Sequence, residues 1–402
     1  MLTGANDLVQ PRLNDNERSG LPGWTYFNAE ALALEKEHLF RRHWQLLGHV
    51  NDIPAPGDYL TFDIAGERAI AVRGKDGQVR CFHNVCRHRG SRVVADERGS
   101  CKSAIVCPFH GWAYNLDGTL RGAPAPRSLP KLDPQEHGLM RLEHEVFHGY
   151  IFVRFMPGPQ PPVAHILKMY EPLFVLHRAG ETKPLGSGWS AEMPANWKAV
   201  RDVDNEGYHV PIAHPALYDL YGRQYVDELL GYGVNRSVGR FDKVKSKRWS
   251  VRHYKSIRPA SAKSLGDEAE NWTYVGMFPN LVFVFYPEQI GYYQEWPLDV
   301  ERTVQRGSLY ALPDERREMK LARYLALRIE RETTREDHQL IVWSSEAMKS
   351  SAFPGIILSD YEAGVRSYHD HLRRVLPVYA QQREPAAGTI AKLNEELSAS
   401  VR

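Results

Sequence analysis

The sequence predicts an α+β protein in which a small all-β module is followed by a larger domain of mixed helices and strands. Between residues 59 and 154, short runs rich in β-branched and aromatic residues alternate with turn signals. A Pro/Gly-rich stretch at 156–162 marks a boundary, and beyond it helical patterns mix with aromatic strands. These observations divide the chain into an N-terminal helical segment, an all-β domain and a mixed domain, with the bounds 1–45, 46–160 and 161–402.

Each predicted element follows from a local pattern. Asn28 can cap a helix that runs to about Arg42, because its side-chain oxygen can accept a backbone hydrogen bond. In the all-β domain the runs AIAVRG and YIFVRF predict strands, and GKDG at 74–77 and NLDG at 115–118 predict tight turns. In the mixed domain the runs WTYVGMF and LVFVFY predict strands of an antiparallel sheet, and a long helical pattern covers about 314–348.

Composition excludes several functional classes. The 51 basic residues balance 49 acidic ones, and a net charge of +2 gives no reason to expect a nucleic-acid or membrane-surface partner held by charge. The N-terminus has no basic stretch leading into an apolar region, and no run approaches the roughly 18 apolar residues of a membrane span. We therefore expect a cytoplasmic protein. Four cysteines are too few for a disulfide scaffold, which leaves thiolates available for metal.

Two loops of the all-β domain each contain one cysteine and one histidine. The pattern is CxH, 18 residues, then CxxH, formed by Cys86, His88, Cys107 and His110. A zinc finger usually has two cysteines on one knuckle and two histidines on the other. A [2Fe-2S] cluster held by two thiolates and two imidazoles instead suits two loops that each supply one thiolate and one imidazole. We therefore expect a Rieske [2Fe-2S] site at β-hairpin tips. Structural zinc and unliganded residues are the alternatives.

The other two cysteines, Cys81 and Cys101, are expected to be small buried side chains.

A second pair of possible ligands lies in the mixed domain, in the segment NWKAVRDVDNEGYHVPIAHPAL. His209 and His214 are five residues apart, and five residues of regular helix turn through about 500°, which would splay the two rings. Pro211 lies between them and can break the helix, so that both rings reach one ion. Two histidines and one carboxylate on one face of an iron leave the other face open for dioxygen and substrate.

The third ligand is predicted to be Asp337, in the long helix and just before an apolar run, with Asp360 as the alternative. The segment YHDH at 368–371 also resembles a metal motif. On a helix its two histidines would point about 200° apart, so we expect them to be structural.

The segments CRHRG and CPFHGWAYNLDG resemble those of the Rieske non-haem iron oxygenases, in their catalytic α subunit, and so does the NWK and YHxxxxH segment. Respiratory Rieske proteins are similar in the ligands but have an additional cysteine in each loop, where this chain has Gly90, Ser91 and Phe109. The 18-residue spacer is long for the family. The resemblance implies a helix-grip-like catalytic domain and two cofactors, a [2Fe-2S] Rieske cluster and a mononuclear Fe(II).

The resemblance also implies an electron bridge between subunits. In the family an acidic residue three positions before the first histidine ligand hydrogen-bonds it and a cluster histidine of the neighbouring subunit. The matching residue is Glu206, one methylene longer than the usual aspartate, and its partner would be His110 or His88. A plain capping or salt-bridge role for Glu206 is the alternative. A bridge across subunits requires a head-to-tail ring, and a homotrimer is the family expectation.

Electrons are expected from a separate NAD(P)H-dependent reductase, because the chain contains neither a GxGxxG fingerprint nor a plant-type ferredoxin cysteine run. A different class of function is also open, that of an electron carrier alone or a structural zinc protein.

The substrate is predicted from the segments DVDNEGYHVPIAHP and LSDYEAGVRSYHDHLR, which resemble the branch acting on quaternary ammonium compounds such as choline, carnitine, glycine betaine and stachydrine. Oxidation of an N-methyl group there would release formaldehyde. A methylated ammonium binds aromatic faces, and the candidates are Trp272, Tyr274, Phe283, Phe285, Tyr292, Tyr293 and Trp296. The alternative is a ring-hydroxylating oxygenase for an aromatic acid, whose carboxylate Arg201 or Arg240 would bind.

Overall fold

A computed structural model describes residues 18–222, 225–229, 233–261 and 263–400. The chain forms two compact units, one made of Phe40–His165 and the other of the described residues on either side of that range. Each unit has its own sheets and its own hydrophobic core.

The first unit is all-β. Its strands are β1 Gln45–His49, β2 Asp58–Ile64, β3 Glu67–Arg73, β4 Val79–His83, β5 Arg98–Ser100, β6 Ile105–Val106, β7 Ala113–Tyr114, β8 Leu120–Gly122, β9 Glu143–Phe147 and β10 Tyr150–Arg154. They pair antiparallel in three small sheets with the orders β1-β10-β9, β4-β3-β2-β5 and β6-β7-β8. The predicted all-β organisation is confirmed.

The predicted turns of this unit form as expected. Gly77 donates its backbone N–H to the carbonyl of Gly74 at 3.1 Å, and Gly118 donates to Asn115 at 2.9 Å. Gly77 and Gly118 have φ values of 78° and 91°, which side chains with a Cβ rarely adopt. Glycine at the fourth position of GKDG and NLDG is therefore what allows each turn.

The second unit combines helices with an antiparallel sheet. The helices of its described residues are α1 Ala29–Glu35, α2 Val163–Ile166 at the boundary, α3 Glu171–Leu176, α4 Trp197–Val203, α5 Val210–Ala213, α6 Pro215–Tyr221, α7 Trp249–Ser261, α8 Arg317–Ala347, α9 Ala363–Val375 and α10 Ile390–Ser400. The strands are β11 Lys183–Pro184, β12 Trp189–Met193, β13 Tyr225–Leu229, β14 Val234–Arg240, β15 Asn271–Met277, β16 Leu281–Tyr286, β17 Gln289–Pro297 and β18 Thr303–Ala311.

The sheet of this unit has the order β11-β18-β17-β16-β15-β14-β13, with β12 also paired to β18. The long helix α8 packs on it through its apolar face, since Leu325 and Ile329 share one buried cluster with Trp272, Val284 and Tyr286 of the sheet. The predicted strands and the predicted long helix are confirmed, and α8 packed on an antiparallel sheet matches the predicted fold class.

The first helix is shorter than predicted. Asn28 caps it, accepting a hydrogen bond from the backbone N–H of Ala31 at 2.9 Å. Regular α-helix then ends at Glu35, and the chain continues as a π-helical turn over Lys36–Phe40. The wider turn explains why a helical pattern extending to about residue 42 yields only seven α-helical residues.

Glu35, at the end of α1, anchors a fully buried ionic cluster in the second unit. Its carboxylate pairs with Lys198 Nζ at 2.5 Å, and both side chains are 0% exposed. The same carboxylate accepts hydrogen bonds from Trp197 Nε1 at 2.7 Å and from the Tyr379 hydroxyl at 2.5 Å. A buried ion pair is tolerated when further hydrogen bonds satisfy the charges, as they do here.

Within the part of the chain that the structure describes, every helix is too short or too polar to cross a lipid bilayer.

Candidate metal centres

The first cysteine–histidine loop is held by backbone hydrogen bonds. Cys86 donates its N–H to the carbonyl of Ser91 at 2.7 Å, and Gly90 donates its N–H back to the carbonyl of Cys86 at 3.0 Å. Gly90 has φ of 74°, a conformation that favours glycine.

The second loop repeats the same turn. Cys107 donates to the carbonyl of Trp112, five residues on, at 2.8 Å, and Gly111 donates to the carbonyl of Cys107 at 3.0 Å, with φ of 70°. In both loops this pair of hydrogen bonds is the same, although histidine stands two residues after cysteine in the first loop and three in the second. Each knuckle is therefore a rigid turn that fixes one sulfur and one imidazole.

The sequence indicated that both loops are hairpin tips, but the structure shows this for only one of them. The loop at Cys107 does connect the paired strands β6 and β7. The loop at Cys86 follows β4, and the next strand, β5, lies at the opposite edge of the same sheet. The local turn is the same in both loops, but the first belongs to a longer crossing connection that short-range turn signals do not reveal.

The donor atoms of these loops suit a metal cluster. The imidazoles of His88 and His110 lie with ring centroids 4.6 Å apart, and His88 stacks on Trp112 at 5.0 Å. His88 Nδ1 is buried without a hydrogen-bond partner among the described residues, an arrangement that costs free energy unless the nitrogen has a ligand. Cys86 Sγ lies 3.2 Å from the Tyr114 hydroxyl.

The remaining cysteines have no such surroundings. Cys81 is buried, and burial raises the pKa of its thiol. Burial also raises the pKa of the Cys101 thiol to about 11. Both thiols stay protonated at neutral pH and are free of disulfides. Cys81 is buried as predicted, whereas Cys101 is only half-buried.

In the second unit a broken helix places His209 and His214 at the two ends of one helical turn. His209 stands directly before α5, and His214 follows it with φ of −120° and ψ of 77°, outside helical geometry. Pro211 lies in the first turn of α5, where its missing N–H is not needed. Because the helix is only one turn long, the five-residue spacing does not splay the rings.

The structure brings His209, His214 and Asp337 together. One donor atom from each lies within 4.8 Å of the others. His209 Nε2 and His214 Nε2 are 3.1 Å apart, and Asp337 Oδ1 lies 2.8 Å from His214 Nε2 and 3.6 Å from His209 Nε2. Asp360, the alternative third ligand, instead pairs with Arg18 at 3.0 Å.

Two further carboxylates orient the rings from behind. Glu206 Oε1 lies 2.5 Å from His209 Nδ1, and Glu336 Oε2 lies 2.9 Å from His214 Nδ1. A carboxylate at Nδ1 keeps the proton on that nitrogen and leaves the Nε2 lone pair free. Both Nε2 atoms and the Asp337 carboxylate then meet as three acceptors.

Such a meeting of acceptors is unfavourable unless a proton or a metal ion lies between them. Asp337 Oδ1 has no hydrogen-bond partner among the described residues apart from the two imidazoles that it faces. Burial lowers the pKa of His209 and of His214, but the facing carboxylates outweigh it and leave each pKa above its ordinary value. An excess of negative charge remains in this pocket, and two imidazoles with one carboxylate are a donor set that fits a mononuclear iron.

The three groups line a cavity with about 120 Å³ of free interior volume. Two of the predicted substrate-binding aromatics, Tyr274 and Tyr293, line it, and sequence reasoning missed three others. The aromatic side chains of the lining are Trp189, Tyr221, Tyr225, Tyr274 and Tyr293.

The other predicted aromatics do not line this cavity. Phe283 and Phe285 pack against Phe174 with ring centroids about 5 Å away, and Trp272 stacks on Tyr286 at 4.2 Å. Tyr292 and Trp296 each lie against Arg306. Side chains alternate between the two faces of a strand, so density of aromatics in the sequence could not show which of them face the cavity.

Two more carboxylates line the cavity. Glu330 accepts a hydrogen bond from the Tyr286 hydroxyl at 2.6 Å, and burial raises its pKa to about 7. Asp204 accepts one from the Tyr293 hydroxyl at 3.0 Å, and burial, only partly offset by Arg201, raises its pKa to about 6.

Neither arginine that was expected to bind an aromatic acid lies at the cavity. Arg201 is buried, with Nη1 4.0 Å from Asp204 Oδ2, and lines a separate small crevice. Arg240 is on β14, 3.8 Å from Glu270, and its side chain is 58% exposed.

The YHDH segment is structural, as predicted. His369 Nδ1 accepts a hydrogen bond from the backbone of Leu21 at 3.1 Å, so its Nε2 carries the proton and donates to Asp202 at 2.9 Å. His371 Nδ1 bonds the carbonyl of Ser367 on its own helix.

Sequence reasoning missed Glu336, Glu330 and Tyr114. A signal existed for Glu330, which precedes Asp337 by seven residues on α8, two helical turns, and so shares its face. Glu336 is adjacent to Asp337, and the two reach opposite nitrogens of the His214 ring, which no local pattern indicates.

Comparison with known families matches both units. Residues 43–133 match the Rieske [2Fe-2S] domain, and residues 185–378 match the catalytic domain of the ring hydroxylating alpha subunit.

Curated relatives include the carnitine monooxygenase oxygenase subunit of Escherichia coli (strain K12), 26% identical over 92% of this chain and 98% of the relative. The glycine betaine monooxygenase oxygenase subunit of Pseudomonas aeruginosa (strain UCBPP-PA14) is 34% identical over 49% of this chain and 45% of the relative.

Solved structures show the same fold. The quaternary ammonium Rieske monooxygenase CntA in complex with L-carnitine has a TM-score of 0.73 at 23% identity, covering 90% of this chain and 99% of CntA. Naphthalene 1,2-dioxygenase with indole bound has a TM-score of 0.72 at 21% identity, covering 94% and 96%. The chain belongs to the Rieske non-haem iron oxygenases, as an α subunit whose two domains bind a [2Fe-2S] cluster and a mononuclear iron.

Proposed function

We propose that this oxygenase removes an N-methyl group from a quaternary ammonium compound. One oxygen atom of O2 is inserted into a methyl C–H bond, and the other is reduced to water by two electrons and two protons. The resulting N-hydroxymethyl ammonium breaks its C–N bond and loses a proton, which gives formaldehyde and a tertiary amine.

The observation that carries the proposal is the cavity around His209, His214 and Asp337. Its wall combines five aromatic side chains with carboxylates, an environment that binds methylated ammonium groups. The relatives named for carnitine and glycine betaine point to the same class. The aromatic-acid alternative loses its support because Arg201 and Arg240 lie elsewhere.

We assign the ligands as follows. Iron bound by His209, His214 and Asp337 would supply the activation of dioxygen, with electrons relayed from the cluster. Glu206 and Glu336 hold the two rings with Nε2 facing the cavity. The cluster ligands are Cys86, His88, Cys107 and His110.

Glu206 is proposed as the electron bridge to the neighbouring subunit. Its Oε2 accepts the backbone N–H of His209 at 3.1 Å while Oε1 faces the ring, so it performs a capping role as well. Each carboxylate oxygen has a second lone pair, and the side chain is 10% exposed.

The assembly is proposed to be a homotrimer. Apolar side chains are exposed beside Glu206, where Tyr208 is 50% and Ile212 is 89% exposed, and beside His110, where Phe109 is 56% exposed. Exposed apolar groups next to both ends of the bridge support burial of each against another copy of the chain.

The electron donor is proposed to be a separate NAD(P)H-dependent reductase. A cytoplasmic location belongs to the same proposal, because a reductase that uses NAD(P)H works where that cofactor is kept reduced.

The test is formaldehyde release from N-methylated ammonium compounds, with a surrogate reductase and NADH, measured beside the tertiary amine product. We expect stoichiometric formaldehyde and amine. His209→Ala, which should keep the cluster spectrum, is the inactive control. Turnover of benzoates or phthalates with no ammonium compound demethylated would refute the proposal.

Metal analysis separates the classes of function. We expect about three irons per chain, two in the cluster and one at the mononuclear site. Two irons would indicate an electron carrier alone, and zinc in their place would indicate neither an oxygenase nor an electron carrier.

A further inference from the structure

Glu330 is a cavity carboxylate that the metal centre does not use. It is partly buried on α8, two turns before Asp337, and lines the same cavity. The hydroxyl of Tyr286 donates to its Oε1 at 2.6 Å, and the hydroxyl oxygen of Tyr274, a lining residue, lies 3.3 Å from that of Tyr286. The phenol of Tyr286 hydrogen-bonds this carboxylate but supplies no positive charge to balance it.

The charges of the cavity wall are one-sided. Among the described residues, and apart from four tyrosines, its ionisable side chains are four carboxylates and two histidines, with neither lysine nor arginine. Glu206 and Asp337 face the histidines, and Asp204 lies 4.0 Å from Arg201. Glu330 alone has no basic side chain within ion-pair distance in the described part of the chain.

A carboxylate withdrawn from water and left without a counter-charge is unfavourable. A methylated ammonium in the cavity would supply that charge, with the faces of Tyr274 and Tyr221 against its methyl groups. A zwitterion would instead place its own carboxylate among four acids, where like charges repel. Apart from the iron proposed at His209, His214 and Asp337, the described wall of the cavity has no cation to pair with it.

We infer that Glu330 is the counter-ion of the substrate's ammonium group, and that the substrate carries a net positive charge and no carboxylate. The inference rests on the proposed function and narrows it. It separates this chain from the curated relatives, whose named substrates, carnitine and glycine betaine, both have a carboxylate.

Calorimetric titration of the iron-loaded, anaerobic protein tests the inference without turnover. The probes are choline, its uncharged carbon isostere 3,3-dimethylbutan-1-ol, and glycine betaine. We expect choline to bind at least about tenfold more tightly than either other probe. Glu330→Gln should weaken choline by about tenfold to a hundredfold and leave the isostere nearly unchanged.

Glu332→Gln is the matched control. It makes the same change on the same helix, but Glu332 pairs with Arg248 at 2.8 Å and does not line the metal cavity. Choline affinity should stay within about twofold of wild type, because a partly exposed ion pair contributes little.

Several results would overturn the inference. These are betaine binding as tightly as choline, no binding of choline, or equal loss of choline and isostere in Glu330→Gln. A variant that keeps choline affinity but loses turnover would show that Glu330 acts in the reaction instead. Formaldehyde is scored separately: choline binding without demethylation would refute the proposed function alone, whereas faster demethylation of betaine would refute this inference alone.

Discussion

The two metal regions of this chain hold their proposed ligands in different ways. In the all-β unit, each cysteine–histidine knuckle is fixed by the backbone, with the same pair of hydrogen bonds in both loops. In the second unit, the histidine rings are fixed by side chains, Glu206 behind one and Glu336 behind the other. The residues that the backbone holds are visible as a spacing in the sequence, and so is Glu206, three positions before His209. Glu336, in contrast, lies 122 residues from the His214 ring that it holds.

The largest effect is expected from breaking a backbone-held turn. Gly111→Val should abolish most cluster incorporation, because a β-branched residue is strained at φ of 70° and the new Cβ would lie 3.2 Å from Pro124. Visible absorption and EPR of the purified protein measure the loss. Gly122→Ala, on β8 beside the strands that this loop connects, is the control, since a Cβ added at Gly122 would enter open space, with no packing neighbour within 4 Å. Equal cluster content in both variants would contradict a turn that depends on glycine.

Next in size is removal of one imidazole. His209→Ala should lose about one iron per chain and all turnover while the cluster spectrum stays unchanged, since the two centres lie in separate units. Metal analysis and EPR measure both centres. Asp360→Asn serves as the comparison and should retain all iron, because that aspartate pairs with Arg18. Loss of iron from Asp360→Asn would move the third ligand away from Asp337.

Glu206→Gln tests the centre whose rings are held by side chains. The carboxylate that it removes both orients His209 and is the proposed electron bridge. We expect turnover to fall by about 100-fold. Single-turnover oxidation of a prereduced cluster should slow with it, which a purely structural role would not produce. Glu206→Asp, the shorter acid, should recover much of that rate. A rate in Glu206→Gln equal to wild type would exclude the bridge.

Glu336→Gln should act on iron affinity alone. Its amide oxygen can still accept from His214 Nδ1, but without the negative charge the ring is a weaker ligand. We expect about tenfold weaker iron binding, measured by competition with a chelator. Unchanged affinity would show that the carboxylate behind His214 does not tune the metal.

The smallest effect tests the backbone-held centre. Tyr114→Phe removes the hydroxyl 3.2 Å from Cys86 Sγ. A hydrogen bond to sulfur is stronger in the reduced, more negative cluster. If the difference is about 1.4 kcal/mol, loss of the bond should lower the cluster potential by about 60 mV. Protein-film voltammetry measures it, and an unchanged potential would mean that the hydroxyl does not donate to the sulfur.

The same division explains how much the sequence could predict. The all-β unit, its turns at Gly77 and Gly118 and the long helix α8 follow from local patterns, and the structure confirms them. Local patterns could not show that the loop at Cys86 crosses its sheet, because strand order depends on pairing between distant segments.

At the metal cavity, too, what could not be predicted depends on contacts between distant parts of the chain. A strand pattern shows that side chains alternate but not which face meets the cavity, so Tyr274 and Phe283 were indistinguishable before the structure. The sequence could predict that Glu330 and Asp337 share one face of α8, but only the structure shows that this face lines the cavity.

The buried pair of Glu35 and Lys198 makes the catalytic domain discontinuous in sequence. The first unit is in effect an insertion, since the chain leaves the second unit after α1 and returns to it near residue 166. A fragment that starts at residue 161 would retain Lys198 but lose the carboxylate that neutralises it, at a cost of about 3–5 kcal/mol. The iron-binding portion of this oxygenase is therefore not separable by a single cut, and we expect its N-terminal residues to contribute to its stability.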